Sequence, residues 1–363
     1  MDSKQPFFSI CIPNYNYGHY IGETIESVLT QTFEDFEIVI QDNASTDNSW
    51  EVIQDFAKKD SRIRIFKNNW NVGFAPNLQK VTTNSRGRYI ILLSSDDIMY
   101  PLALEKYHEV ISKQDTDDIV ICSNTDVIDS ESNVKSKIFM KIPEWRLIKS
   151  SFESDFKPSE KVYSINSLKI LSEILDRNTG ARPVSVFCAT CFSKKLWERV
   201  EGYDVTAQYS PDTNTMLKLL SLSINYIWID KVLFGYRIHD DNNTNVLRKE
   251  RNLKFLSDMY MRTLNLDSKV LELMGIDRAD YSKLFIRSFC LRPALISILK
   301  GNWIDSIQLV SYSLSAYPRL TLKIPFFYLL FILNTVGVIC LPFFILFSHM
   351  FKFVRLNLNR EWR

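Results

Sequence analysis

Three carboxylates fall where apolar runs stop. Asp42 follows the run 36–40 after one glutamine, and Asp96 and Asp97 follow the run 89–93 after two serines. Short apolar runs of this kind, above all 89–93, read as strands buried on both faces of a parallel sheet. The carboxyl ends of such strands line one crevice, so the three acids are expected to meet there. Carboxylates without thiols or clustered imidazoles favour a hard divalent cation, Mg²⁺ or Mn²⁺, which keeps some water and bridges phosphate oxygens. A nucleoside diphosphate is the natural partner of that chemistry. Taken singly, Asp42 reads equally well as a turn residue, and Asp212, before an apolar helical pattern, as a helix cap.

The elements that must position these acids alternate along the first 130 residues. Strands are predicted at 7–12, 36–40, 62–66 and 89–93. Between them, Ile21, Ile25, Val28 and Leu29 mark one helical face, and Trp50, Ile53 and Phe56 another, with Thr46 or Asp47 as its cap. A third, short helix is placed over 77–83. This rhythm predicts an α/β, doubly wound, mostly parallel sheet flanked by helices. After Val127 the pattern loosens, with polar excursions at 130–137 and 149–161, and strand signals return at 184–192 and 226–236. From about residue 245 the period becomes helical, through Leu253, Leu256, Tyr260 and Leu264, then 281–299 and 303–314. The expected organisation is a nucleotide-binding catalytic domain over 1–244, a helical region over 245–320 packed on it, and an apolar segment with a basic tail over 321–363.

Composition narrows the function. A chain of 363 residues, 46% hydrophobic and 24% charged, is long enough for a sizeable core and is not disordered. A net charge of +2 gives no reason to expect nucleic acid as a partner. The six cysteines lack the spacing of a disulfide framework. Cys188 and Cys191 form a lone CxxC in a strand-like stretch and read as small core residues on opposite faces. No apolar h-region follows Met1, so a signal peptide is not expected.

Near the other end, Ile324 to Phe351 carries no charge, and its only clearly polar residues are Asn334, Thr335, Ser348 and His349. That exceeds the roughly 20 residues of a membrane helix. Pro342 interrupts it, and both flanks are basic: Arg319 and Lys323 before, Lys352, Arg355, Arg360 and Arg363 after. Basic residues favour the cytoplasmic side, so a hairpin bent near 337–342 satisfies both flanks where one crossing satisfies one. Attachment to the cytoplasmic face of a membrane through 324–351 is the expectation.

The stretch SICIPNYNYGHYIGETIESVLTQTFEDFEIVIQDNASTDNSWEVI resembles the opening of family-2 glycosyltransferases: a strand, Pro-x-Tyr-Asn, a helix ending Ser-Val-Leu-x-Gln-Thr, and a strand closed by Asp. The resemblance continues through NNWNVGFAPNLQ, RGRYIILLSSDD, WERVEGYD, PDTNTMLKL and FGYRIHDDNNT, covering residues 7 to about 245 in order. It implies a GT-A-type fold and metal-assisted, inverting transfer from a UDP- or dTDP-sugar. By that resemblance Pro13, Asn14 and Tyr15 line the nucleoside pocket and Asp42 bonds the base or ribose, with Asn77 and Ser95 in the same nucleotide set. Asp96 is the carboxylate ligand of the DxD-type motif, with Asp97 beside it and His239 near the diphosphate and the Mn²⁺ or Mg²⁺. Asp212 matches the general base. Three positions depart from the pattern: Ser94 stands for the first acid of DxD, Asn43 for the second acid of an Asp-Asp pair, and Pro211 for the Glu of a Glu-Asp pair.

The implied acceptor is a polysaccharide, glycolipid or polyprenyl-linked saccharide, and a membrane segment suits a lipid-linked one. Two other readings compete. A polyprenyl-phosphate glycosyltransferase would need no strong base at Asp212. A non-catalytic sugar-nucleotide-binding or scaffold protein would bind nucleotide without turnover. The sugar, the acceptor and the linkage are not written in any motif.

Overall fold

Apolar runs without polar alternation become the central strands of a ten-stranded sheet. The computed structural model describes residues 5–138, 162–168, 170–171, 187–205, 211–240, 242, 271–272, 277–299 and 301–335. Strands β1 (Phe8–Asn14), β2 (Phe36–Asp42), β3 (Ile63–Lys67) and β4 (Tyr89–Leu92) form a parallel block in the order β3-β2-β1-β4. Every residue of β1, β2 and β4 is buried, which is why their sequences do not alternate. The register sets Asn14 opposite Asp42, and the Leu93 N–H donates to the Cys11 carbonyl (3.0 Å). The strand-end polar residues therefore share one edge.

Helices α1 (Gly18–Leu29), α2 (Ser49–Lys59) and α3 (Phe74–Thr83) connect these strands. Ile21, Ile25 and Val28 are the buried face of α1, as the spacing requires. Asp47 lies just before α2 and accepts from the Ser49 N–H (3.0 Å) and from the Gly18 N–H (2.9 Å). One carboxylate thus serves two helix N-termini, where the dipole favours negative charge.

The second half of the sheet corrects the expectation of a mostly parallel one. It contains β5 (Ile98–Met99), α4 (Ala103–Ile111), β6 (Ile119–Ile128), β7 (Val134–Ile138), β8 (Val162–Asn166), β9 (Thr190–Ser193), α5 (Lys194–Arg199), α6 (Pro211–Leu220) and β10 (Asn225–Arg237). Strand β9 runs antiparallel to both β4 and β6, and β10 is parallel to β6 but antiparallel to β5 and β8. Parallel neighbours need a long crossover, whereas β7 follows β6 through a tight turn and must pair antiparallel. The predicted strand over 184–192 is shorter than expected: Phe187–Ala189 is a 3₁₀ turn and only Thr190–Ser193 is strand, with 184–186 outside the described residues. Cys188 and Cys191 are both buried. The turn after α5 needs Gly202, whose φ is +70° and whose Cβ position lies 2.5 Å from Gln79 Oε1.

The described residues fall into two compact units, one before residue 251 and one after it. The second comprises α7 (Arg278–Phe285), α8 (Arg292–Leu299), α9 (Trp303–Ala316), α10 (Pro318–Thr321) and the helical residues 325–335. The helix expected over 281–299 is broken by a π-helical turn, Ile286–Leu291, just before Pro293, which has no N–H to offer the preceding turn. Phe285, Leu291, Val310, Ile324, Phe327 and Leu330 share its core. On the opposite side of 325–335, Tyr328, Leu329, Phe331 and Ile332 are exposed. Among the described residues no helix is long and apolar enough to cross a membrane. The remainder of the 324–351 expectation, the helical pattern over 253–264 and the polar stretch 149–161 lie outside the described residues.

Candidate active site

Asp96 and Asp97 occupy the turn between β4 and β5, and α1 holds that turn from below. The Thr24 hydroxyl lies 3.0 Å from the Ser95 carbonyl and 2.8 Å from the Asp97 carbonyl. The end of β10 closes the other side. His239 Nε2 donates to Asp96 Oδ2 (3.0 Å), and Asn242 Nδ2 donates to the same oxygen (3.1 Å). The Arg237 N–H donates to Asp97 Oδ1 (2.9 Å). The His239 ring packs against Tyr20 and edge-on to Tyr17, with centroids 4.9 and 5.6 Å away. Of the residues expected to serve a metal, Asp96, Asp97 and His239 are therefore together.

The electrostatics follow from burial. Asp97 is buried, and burial first, then the neighbouring Asp96 charge, pushes its carboxyl well above the usual carboxylate range. The Arg237 N–H and contact with the Cys188 thiol oppose that shift. Burial, and then the Asp97 charge, likewise pushes the Cys188 thiol up, so it is no nucleophile.

A second polar cluster stands at the ends of β1 to β3. Asp42 is buried, and its carboxylate accepts from Asn14 Nδ2 (2.9 Å), Ser45 Oγ (2.6 Å) and the Ser45 N–H (3.0 Å). Pro13 and Asn14 end β1, Tyr15 beyond them is 40% exposed, and Ser95 is buried in the acidic turn. Asn77 lies inside the molecule: its amide accepts from Asn68 (2.8 Å) and donates to the Gln41 carbonyl (3.0 Å). Asn43, at the Asp-Asp departure, donates to Asn71 Oδ1 (2.8 Å) and the Gly73 carbonyl (3.2 Å) and accepts from Val72 N–H (2.9 Å). It thereby holds the 71–73 loop against β2. Ala44 beside it has φ +59°, a left-handed conformation that costs a non-glycine residue about 1 kcal/mol or more.

Asp212 opens α6 and is half-buried. Its charge reaches Tyr203, whose hydroxyl is pushed up first by burial and then by Asp212. Sequence reasoning passed over Glu23, Thr24, Arg237 and Asn242. The legible signal was Arg237, an arginine ending an apolar strand, since arginine is rarely buried unless paired.

Comparison with known proteins decides the family. Residues 9–178 match the model for glycosyl transferase family 2. This segment is a family-2 glycosyltransferase domain. The chain is a glycosyltransferase, and similar proteins bear that name: an uncharacterized glycosyltransferase of Rickettsia typhi is 27% identical over 67% of this chain and 68% of its own length. Chondroitin synthase of Escherichia coli is 27% identical over 77% of this chain but 35% of that protein. Among solved structures, S. aureus TarS 1–349 in complex with UDP-GlcNAc aligns with a TM-score of 0.59, covering 90% of this chain and 88% of that one. At 15% identity this likeness speaks for the GT-A-like α/β fold alone.

Proposed function

We propose that this glycosyltransferase moves a sugar, with inversion, from a UDP- or dTDP-sugar to a hydroxyl of a saccharide or lipid-linked saccharide acceptor. The observation that carries the reading is the convergence of Asp96, Asp97 and His239 at the strand edge that also holds Asn14 and Asp42. Nucleotide sugars are the ligand class of the TarS complex, and a polysaccharide is the product named for the chondroitin synthase relative.

Among the described residues no three acidic, histidine or cysteine side chains are grouped to hold a cation by themselves. One carboxylate and one imidazole nevertheless fit a Mn²⁺ or Mg²⁺ that arrives with its nucleotide, because such ions take one or two carboxylates and complete their shell with phosphate and water. Asp96 and His239 would hold it. When bound, it would offset charge on the departing diphosphate. Asp97, a carboxyl raised by burial and by the charge beside it, marks ground that a cation would favour.

The remaining steps belong to the chain's own groups. Pro13 to Tyr15 border the nucleoside. Asp212 takes the proton of the acceptor hydroxyl as that oxygen attacks the anomeric carbon and the sugar–phosphate bond breaks; a hydroxyl with a pKa far above 7 needs such a base. One displacement inverts the anomeric centre. The test is a donor-hydrolysis and transfer screen of purified protein over UDP- and dTDP-sugars with Mn²⁺, Mg²⁺ or a chelator, with the product anomer read by NMR. Turnover without any added or bound cation sinks the metal part, and a retained anomeric configuration sinks the inversion.

Attachment at a cytoplasmic membrane face through 324–351 belongs to the same proposal. It is supported by the exposed Tyr328, Leu329, Phe331 and Ile332 with Arg319 and Lys323 exposed nearby, an apolar face with a basic rim suited to anionic lipid. Flotation of the full chain with vesicles containing phosphatidylserine should be lost in a Phe331→Ser, Ile332→Ser variant that keeps donor hydrolysis. Equal flotation of both proteins argues against this face.

A further inference from the structure

Arg237 is fully buried, a costly place for a guanidinium unless every donor is used. Here all three guanidinium nitrogens donate, to three separate segments. Nε donates to the Asp96 carbonyl (2.6 Å), and Nη2 to Glu23 Oε2 of α1 (2.6 Å). Nη1 reaches the turn between β6 and β7 at the Asp129 carbonyl (3.0 Å), the Ser130 carbonyl (3.3 Å) and Ser132 Oγ (2.9 Å). Ser132 Oγ in turn donates to Glu23 Oε1 (2.5 Å), closing a ring of three side chains. The guanidinium also lies over Tyr20, 4.8 Å from its centroid. Its main chain continues the pattern: the N–H holds Asp97 Oδ1, and the carbonyl accepts from Asn242 Nδ2 (3.1 Å), the same amide that holds Asp96 Oδ2.

We propose that Arg237, anchored by Glu23, is a positioning residue that sets the acidic turn in register with His239 and thereby sets how the diphosphate of the donor meets that turn. This rests on the donor-binding reading above. The choice of acceptors argues for position over bulk stability. Both members of the acidic pair are gripped, Asp96 by its carbonyl and Asp97 by its carboxylate, and the anchor Glu23 is itself 45% exposed. Buried ion pairs seldom stabilise more than apolar residues of the same shape would, so a fork of this kind is better explained by the geometry it fixes. A lysine carries the charge but not the planar fork, and a misplacement of about 1 Å at a reacting centre costs on the order of 10²-fold.

The experiment compares wild type, Glu23→Gln and Arg237→Lys. Glu23→Gln keeps size and partial exposure and removes only the anchoring charge, so it remains informative if Arg237→Lys does not fold. Calorimetric titration with UDP, with and without Mn²⁺, is set beside steady-state donor hydrolysis and thermal unfolding. Glu23→Gln should bind UDP without metal as wild type does, lose on the order of tenfold of the affinity that Mn²⁺ adds, with donor KM at fixed Mn²⁺ raised to match, and lose kcat by a similar factor. Arg237→Lys should lose more of each. An unchanged Mn²⁺ increment and kcat in Glu23→Gln overturns the proposal, as does a loss that merely follows the fraction unfolded. A wild-type protein that binds neither UDP nor dTDP with any cation overturns the donor reading and this proposal with it, a result distinct from normal binding in the variant.

Discussion

Two polar clusters lie along one edge of the sheet and are built on opposite principles. At the ends of β2 and β3, Gln41, Asn43, Asn68, Asn71 and Asn77 saturate one another with neutral amides. Asn68 alone donates to Asn43 (3.0 Å) and Asn77 (2.8 Å) and accepts from Gln41 (3.2 Å) and Lys80 (2.7 Å). Beyond β4, charge is concentrated instead: of two adjacent carboxylates, one meets an imidazole, and the other, pushed toward its neutral form, accepts from the main-chain N–H of an arginine whose buried guanidinium pairs with Glu23. The amide network fixes a loop shape through bonds among its own side chains. The charged one holds electrostatic energy ready for a charged ligand, and that is where chemistry is expected.

Substitutions that treat the two alike should separate them. The largest effect belongs to Asp96→Ala, which removes the carboxylate shared by His239 and Asn242: transfer should fall at least about 10³-fold with an unchanged circular dichroism spectrum. Near-normal turnover would remove Asp96 from the site. Asp212→Asn comes next, with hydroxyl transfer down roughly 10²–10⁴-fold and donor binding intact. Since Asn caps a helix about as well as Asp, unchanged transfer would favour a cap or a phosphate acceptor. In the amide cluster, Asn68→Ala should instead act on the fold. It strands Asn43 and Asn77 and should lower stability by about 2–4 kcal/mol, read as a shifted urea midpoint, while kcat of the folded fraction holds. A kcat loss without a stability loss would erase the contrast. The smallest effect is expected from Ser94→Asp, which supplies the acid missing from the motif. Half-saturation by Mn²⁺ should occur at a several-fold lower concentration, and an unmoved curve would mean that position does not face the ion.

The parallel half of the fold was legible because its runs are buried on both faces and its helices keep one apolar stripe. The predicted strands 36–40 and 89–93 differ from β2 and β4 by two residues or fewer. In the second half β10 was read closely, 226–236 against Asn225–Arg237, but β9 and the short β5 are assigned by pairing with distant strands and carry no period of their own. In the site, the strand-end acids were readable from their positions, but their partners were not. Glu23 sits on the polar side of an ordinary amphipathic helix, and Asn242 in a polar run, so nothing local announces either. Asp42 and Asn77 show the converse. Their identity suggests ligand contact, whereas their side-chain bonds run to Asn14, Ser45, Asn68 and Gln41.

Strand β9 has a consequence for synthesis. It is inserted between β4 and β6, pairing Tyr89 with Ser193 and Ile121 with Cys191, although both neighbours leave the ribosome long before it does. Until it emerges, β4 and β6 each present an unpaired edge rich in isoleucine, the kind of edge on which chains join one another. A nascent chain halted before residue 190 therefore holds the parallel block with a sticky seam, and only chain beyond it can seal that seam. Chaperone demand should peak over this interval of translation and drop once β9 and then β10 have been made.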